Sequence, residues 1–120
     1  MIYDEDEKIA TIVNYGRANV LMSFYSYAKK TLNGIAKGFS GVKTILFLKC
    51  KEHQKFNVQF TTIRGKAKLV AVSKDNKVTV LAENIFVGDI NTKFEKGRYK
   101  IRLVGEAADV TFKLKKITKK

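Results

Sequence analysis

The sequence predicts an all-β domain, an antiparallel sandwich or barrel of about seven or eight strands. Two observations carry that prediction. From residue 42 to the end, apolar and polar residues alternate with a period of two, the mark of half-buried strands. Turn-forming clusters interrupt the alternation about every 8–12 residues, the spacing of antiparallel sheets.

The chain opens on Asp4, Glu5, Asp6 and Glu7. A block of like charge reads as a solvated tail, so residues 1–17 are expected to be an acidic N-terminal tail with partial order at most. The domain proper is expected over 18–120. Its first stretch is ambiguous. Leu21, Phe24, Tyr25, Ala28, Leu32, Ile35, Ala36 and Phe39 fall at helical steps of three and four, which alone would give an α+β fold with a helix at about 19–37. Gly34 and Gly38 would cost that helix about 0.8–1 kcal/mol each, and Val20, Met22 and Phe24 also alternate as a strand does. Two strands, about 19–27 and 30–37, are therefore expected.

Lys43 to Cys50 is a β-branched and aromatic run that the polar KEHQ turn at 51–54 stops. Phe56, Val58 and Phe60 alternate with Asn57, Gln59 and Thr61; Arg64-Gly65 reads as a turn; Ala67, Leu69 and Ala71 follow. Residues 73–77 (SKDNK) carry Asp and Asn, which tolerate left-handed backbone and bond their own main chain, so a turn is expected. Val78, Val80 and Ala82 form one face of the next strand. Gly88-Asp89 and Lys96-Gly97 read as turns around Asn91 to Phe94.

The closing stretch reads as a hairpin about Gly105–Asp109. In one register it pairs Leu103 with Val110, Ile101 with Phe112 and Tyr99 with Leu114 on an apolar face that fixes the alignment. The opposite face then holds Arg98, Lys100, Arg102, Lys113 and Lys115, with like charges directly across the ladder. These five residues are the candidate binding face.

Charge makes that face worth weighing. Lys and Arg number 24 against 11 Asp and Glu, a net charge of +13, and residues 8–120 hold all 24 basic residues against 7 acidic ones. Such an excess points to an anionic partner: an envelope polymer, a lipid surface or a nucleic-acid backbone. The plainer account is a solvated sheet exterior whose lysines guard its edges. Rings of the best strands (Phe56, Phe60, Tyr99, Phe112) share parity with aliphatic residues and so lie inside, which argues against the base stacking that single-strand readers use.

Other chemistry is thin. Cys50 is the single cysteine and His53 the single histidine, so neither an internal disulfide nor a Cys-rich zinc site can form. Cys50 reads as a small buried residue and His53 as a solvated turn residue. Glu106 with Asp109 could hold a metal only weakly and read as turn residues. No nucleophile, base and orienting group fall together, no cofactor motif occurs, and no small-molecule substrate is indicated. The expectation is a non-enzymatic protein without cofactors.

Five pieces of the chain carry a family resemblance: Gly38-Phe39-Ser40-Gly41, Lys43-Thr44-Ile45 with Leu48-Lys49, Gln54 to Val58, Gly65 to Val70, and Lys96 to Gly105. Over Ala18 to Ile117 the sequence resembles small exported domains and lipoproteins of Gram-positive bacteria with a jelly-roll-like β-sandwich. The motifs are structural and of low specificity. The resemblance implies a jelly-roll-like fold, an extracellular or envelope location, no enzymatic activity, and a closing strand pair that forms a core hairpin. The chain departs from the family at KEHQ and lacks its lipid-bearing N-terminal Cys. The function expected is attachment of the basic face to an anionic envelope polymer or membrane surface. The alternative is a cytoplasmic barrel that binds nucleic acid without sequence preference.

Overall fold

The structure is a computed structural model that describes residues 3, 5–11, 13–50, 54–92 and 96–117. A short helix, α1 (Asp6–Thr11), precedes seven strands: β1 (Tyr15–Arg17), β2 (Val20–Ser26), β3 (Thr31–Cys50), β4 (Gln54–Ser73), β5 (Val78–Glu83), β6 (Ile85–Thr92) and β7 (Gly97–Ile117). All pair antiparallel in one sheet of order β1-β3-β7-β4-β5, with β2 also on β3 and β6 also on β4. The all-β prediction holds. Residues 20–26 and 31–37 are the two expected strands, and no helix occupies 19–37.

The turns expected at Arg64-Gly65 and Gly105–Asp109 do not form, because the runs on either side of each are one strand. The runs at 30–37 and 43–50 are likewise joined in β3. The predicted closing hairpin therefore does not exist. Leu103 pairs with Lys43 and Leu69, while Val110 pairs with Ala36 and Thr62. What reads as a turn is a bulge. Register slips at Ala36/Phe39, Phe39/Gly41, Thr62/Arg64 and Arg64/Lys66, and Gly38 (φ 61°), Gly65 (φ 69°) and Ala107 (φ 48°) sit in left-handed backbone. A left-handed residue serves a bulge as well as a tight turn, and each bulge adds one residue and reverses which parity faces inward. Gly88 and Asp89 likewise lie within β6 rather than in a turn.

The parity change is visible in β7. Tyr99, Ile101 and Leu103 point into the core, and beyond the irregular stretch so do Ala108, Val110, Phe112 and Leu114. β3, β4 and β7 all cross this crease, so the sheet doubles over and becomes a two-layer sandwich. One layer contains β2, β6 and the half-strands 31–37, 54–62 and 110–117. The other contains β1, β5 and the remaining halves. Both inner faces share one buried cluster, from Leu32, Phe56 and Phe60 in the first layer to Cys50, Leu69 and Ile101 in the second. Cys50 is buried as expected.

The SKDNK turn forms as expected: Ser73 Oγ accepts from the amides of Asp75 (3.2 Å) and Lys77 (3.0 Å), and Asn76 is left-handed at φ 63°. Of the KEHQ segment, residues 51–53, including His53, lie outside the described residues. Gln54 is buried in β4 and donates through Nε2 to the Ile117 carbonyl at 3.0 Å.

The two outer faces of the sandwich differ. On the second layer, Val42, Val70, Val72 and Val104 form a small apolar cluster that Tyr3, Ile9 and Ala10 cover. Part of the segment expected as an acidic tail thus closes one face. Tyr3 donates from its hydroxyl to Glu83 Oε2 at 2.8 Å, and the ammonium groups of Lys66 and Lys68 lie 4.5 Å from its ring centre. On the first layer none of the described residues covers the outer face, here called the open face.

Candidate functional site

The open face is built from rows of residues paired across five strands. One row runs Ser26, Thr31, Lys115, Asn57, Asp89. The next on the same side runs Phe24, Asn33, Lys113, Gln59, Val87, and all five of these side chains are exposed. A third runs Met22, Ile35, Thr111, Thr61, Ile85. Directly paired antiparallel residues project to one side of the sheet, so the rows make a continuous surface. Its centre is cationic and polar; its edges are apolar at Met22 and Phe24 on β2 and at Ile85 and Val87 on β6, and polar at Ser26 and Asp89. Phe24 is 70% exposed and Val87 71%.

A depression of about 1030 Å3 lies over this face, lined by Phe24, Thr31, Asn33, Asn57, Lys113 and Lys115, with Lys29 and Lys116 at its margin and Asp89 also in its wall. Asp89 is engaged: it accepts from Asn57 Nδ2 at 2.7 Å and pairs with Lys55 Nζ at 3.7 Å. Neither Lys113 nor Lys115 has a carboxylate within ion-pair distance among the described residues. The side-chain amides of Asn33 and Gln59 make no hydrogen bond among the described residues, so their donors and acceptors face solvent.

The five residues predicted as one basic face separate into three groups. Lys113 and Lys115 lie on the open face. Arg98 and Lys100 are on the other layer, where they pair with Lys49 and Phe47 of β3. Lys100 and Lys113 face outward from opposite layers with the core between them, so they cannot act on one small ligand. Arg102 is buried, at 2% exposure. Its Nη1 donates to the Ile9 carbonyl at 2.6 Å and its Nη2 to Asn14 Oδ1 at 2.9 Å, while its Nε has no partner among the described residues. Burial pulls its pKa below the ordinary arginine value. The alternation places Arg102 outward correctly, but α1 then covers that face, and the guanidinium holds the cover down.

The rings expected inside are inside, but that reading did not extend to the first third of the chain. Phe56, Phe60, Tyr99 and Phe112 are buried as predicted, yet Phe24 projects from the open face and Tyr27, in the β2–β3 turn, is 85% exposed. Alternation turns Asn57 and Gln59 outward, but nothing local in the sequence joins them to Lys113 and Lys115; Phe24 and Asn33 were missed because the helical spacing within 19–37 competes with the parity of β2 and β3. The inward residues of β2 are Leu21 and Tyr25, which pack on the core, and Met22 and Phe24 take the other side.

Among the acids, Glu106 and Asp109 are strand residues, not turn residues: Glu106 pairs with Lys66 at 3.3 Å, and Asp109 accepts from the Gly38 amide at 2.8 Å and lies 3.9 Å from Arg64 Nε. Among the described residues, no three His, Cys, Asp or Glu side chains are grouped to hold a metal ion, and no helix is long and apolar enough to cross a membrane.

No family model and no curated protein matches the chain. Among solved structures it is similar to a protein of unknown function (DUF1255) from Acidithiobacillus ferrooxidans, at 13% identity, with 83% of this chain and 92% of that one covered and a TM-score of 0.26. A likeness that weak carries no argument about fold or function.

Proposed function

We propose that the protein is a non-enzymatic binding module that holds a linear, phosphate-bearing polyanion along its open face. The observation that supports this reading is the pair Lys113 and Lys115, side by side on the central strand and without a carboxylate partner among the described residues, in the floor of a depression. Two residues apart on one strand, they stand about 6.6 Å from each other and present repeated charge along a line. A linear chain of phosphates can follow that line. The polymer would be an envelope polymer if the protein is exported, as the resemblance implies, and a nucleic acid if it acts in the cytoplasm.

The reading is tested by binding a labelled inorganic polyphosphate at several salt concentrations. Affinity is expected to fall steeply with salt, and Lys113→Glu with Lys115→Glu to flatten the log–log slope by about 2, one per lost contact. Arg98→Glu with Lys100→Glu is expected to change the slope little. Equal losses from both pairs would mean that attraction is spread over the whole surface and that no face is specific.

A further inference from the structure

The apolar edge of the same face adds what phosphate alone cannot use. We propose that the polymer is a single-stranded nucleic acid, with a base stacked on Phe24 and the adjoining backbone phosphates on Lys113 and Lys115. This inference rests on the reading of the open face as a polyanion site. Phe24 lies in one row with Asn33 and Lys113, so an exposed ring, and an amide and an ammonium without a partner among the described residues, stand on three adjacent strands. Neighbouring strands are about 4.8 Å apart, which puts ring and ammonium roughly 10 Å from one another. That span suits a base and its own backbone.

Each component has a separate task. The ring offers a π-face to any base, which gives affinity without sequence preference. Lys113 and Lys115 take the phosphates as point charges. Asn33 and Gln59 each offer both a donor and an acceptor to the Watson–Crick edges of bases, which are free only when the strand is unpaired. A polyol-phosphate chain of the envelope has no flat ring and would leave Phe24 in water. A duplex hides its base faces and would do the same.

The test compares four fluorescent or competing ligands: an oligothymidylate of roughly 12 nucleotides, the abasic oligomer of equal length, a duplex of equal length, and a glycerol-phosphate polymer of equal charge. Phe24→Ala, at an exposed position, is checked for folding by circular dichroism. It is expected to weaken the thymidylate oligomer roughly ten-fold and to leave the abasic oligomer and the glycerol-phosphate polymer unchanged. The wild type should prefer the thymidylate oligomer to the other three. Equal binding of all four ligands, or no effect of Phe24→Ala on any, would overturn base stacking while the polyanion reading stands. No binding of any ligand at low salt would overturn both.

Discussion

Arg102 and Ile9, 93 residues apart in the chain, are joined by a hydrogen bond of 2.6 Å from the guanidinium to the helix carbonyl. Through Nη2 the same guanidinium reaches Asn14 Oδ1, which also accepts from the Thr44 amide at 2.9 Å. Arg102→Ala removes two charge-assisted hydrogen bonds and opens space beside Val104. The cost expected is about 3 kcal/mol, near 12 °C in Tm at this chain length. Thermal melting checks it. Polyphosphate affinity should hold, because Arg102 lies on the opposite layer from Lys113.

Gly34 lies over Phe112. A Cβ added there would sit 2.1 Å from Phe112 Cζ, inside the core rather than in solvent. Gly34→Ala is expected to destabilise by about 2 kcal/mol through overpacking. Phe112→Leu makes room, so the double variant should lose less than the sum of the two single losses. A strictly additive pair of unfolding free energies would show that ring and glycine are not in contact.

Ala107 adopts φ 48°, a conformation that costs an L-residue roughly 1–2 kcal/mol and glycine almost nothing. Its amide donates to Ser40 Oγ at 2.9 Å, which a glycine would keep. Ala107→Gly should therefore raise stability by up to about 1 kcal/mol after its added unfolded-state entropy. A lower urea midpoint for the variant would contradict that.

Burial pushes the Cys50 thiol up to about 11, partly offset by the Lys116 ammonium. The folded protein then holds a proton that the unfolded chain releases at lower pH. Stability from this group is full below about pH 9 and is lost as pH rises toward 11. Between those pH values the wild type should lose more Tm than Cys50→Ala, in which lysine and tyrosine titration is common to both. At pH 8 the native thiol should resist disulfide reagents that modify the denatured chain at once.

Local alternation made the inner faces readable: Phe56, Val58, Phe60, Ile101, Leu103 and Phe112 all lie where their parity puts them. The crease was not readable, because Gly65 and Ala107 look the same in a sequence whether the chain reverses or merely bulges. That ambiguity misplaced the closing strands, and with them the supposed ladder of Lys100 against Lys113. The site was half legible. Lys113 and Lys115 could be found from parity alone, whereas the fate of Arg102 depended on a helix some 90 residues earlier, beyond the reach of any local pattern.

β7 is the last of the described strands and the middle one in the sheet, flanked by β3 and β4. During synthesis those two strands have no common neighbour until Gly97–Ile117 has left the ribosome. Neither layer is contiguous, so no N-terminal fragment contains a finished half. The pairing that joins the two halves of the sheet therefore waits for β7, and chains stalled or clipped before it would leave long edges of β3 and β4 unpaired and exposed to one another and to their copies.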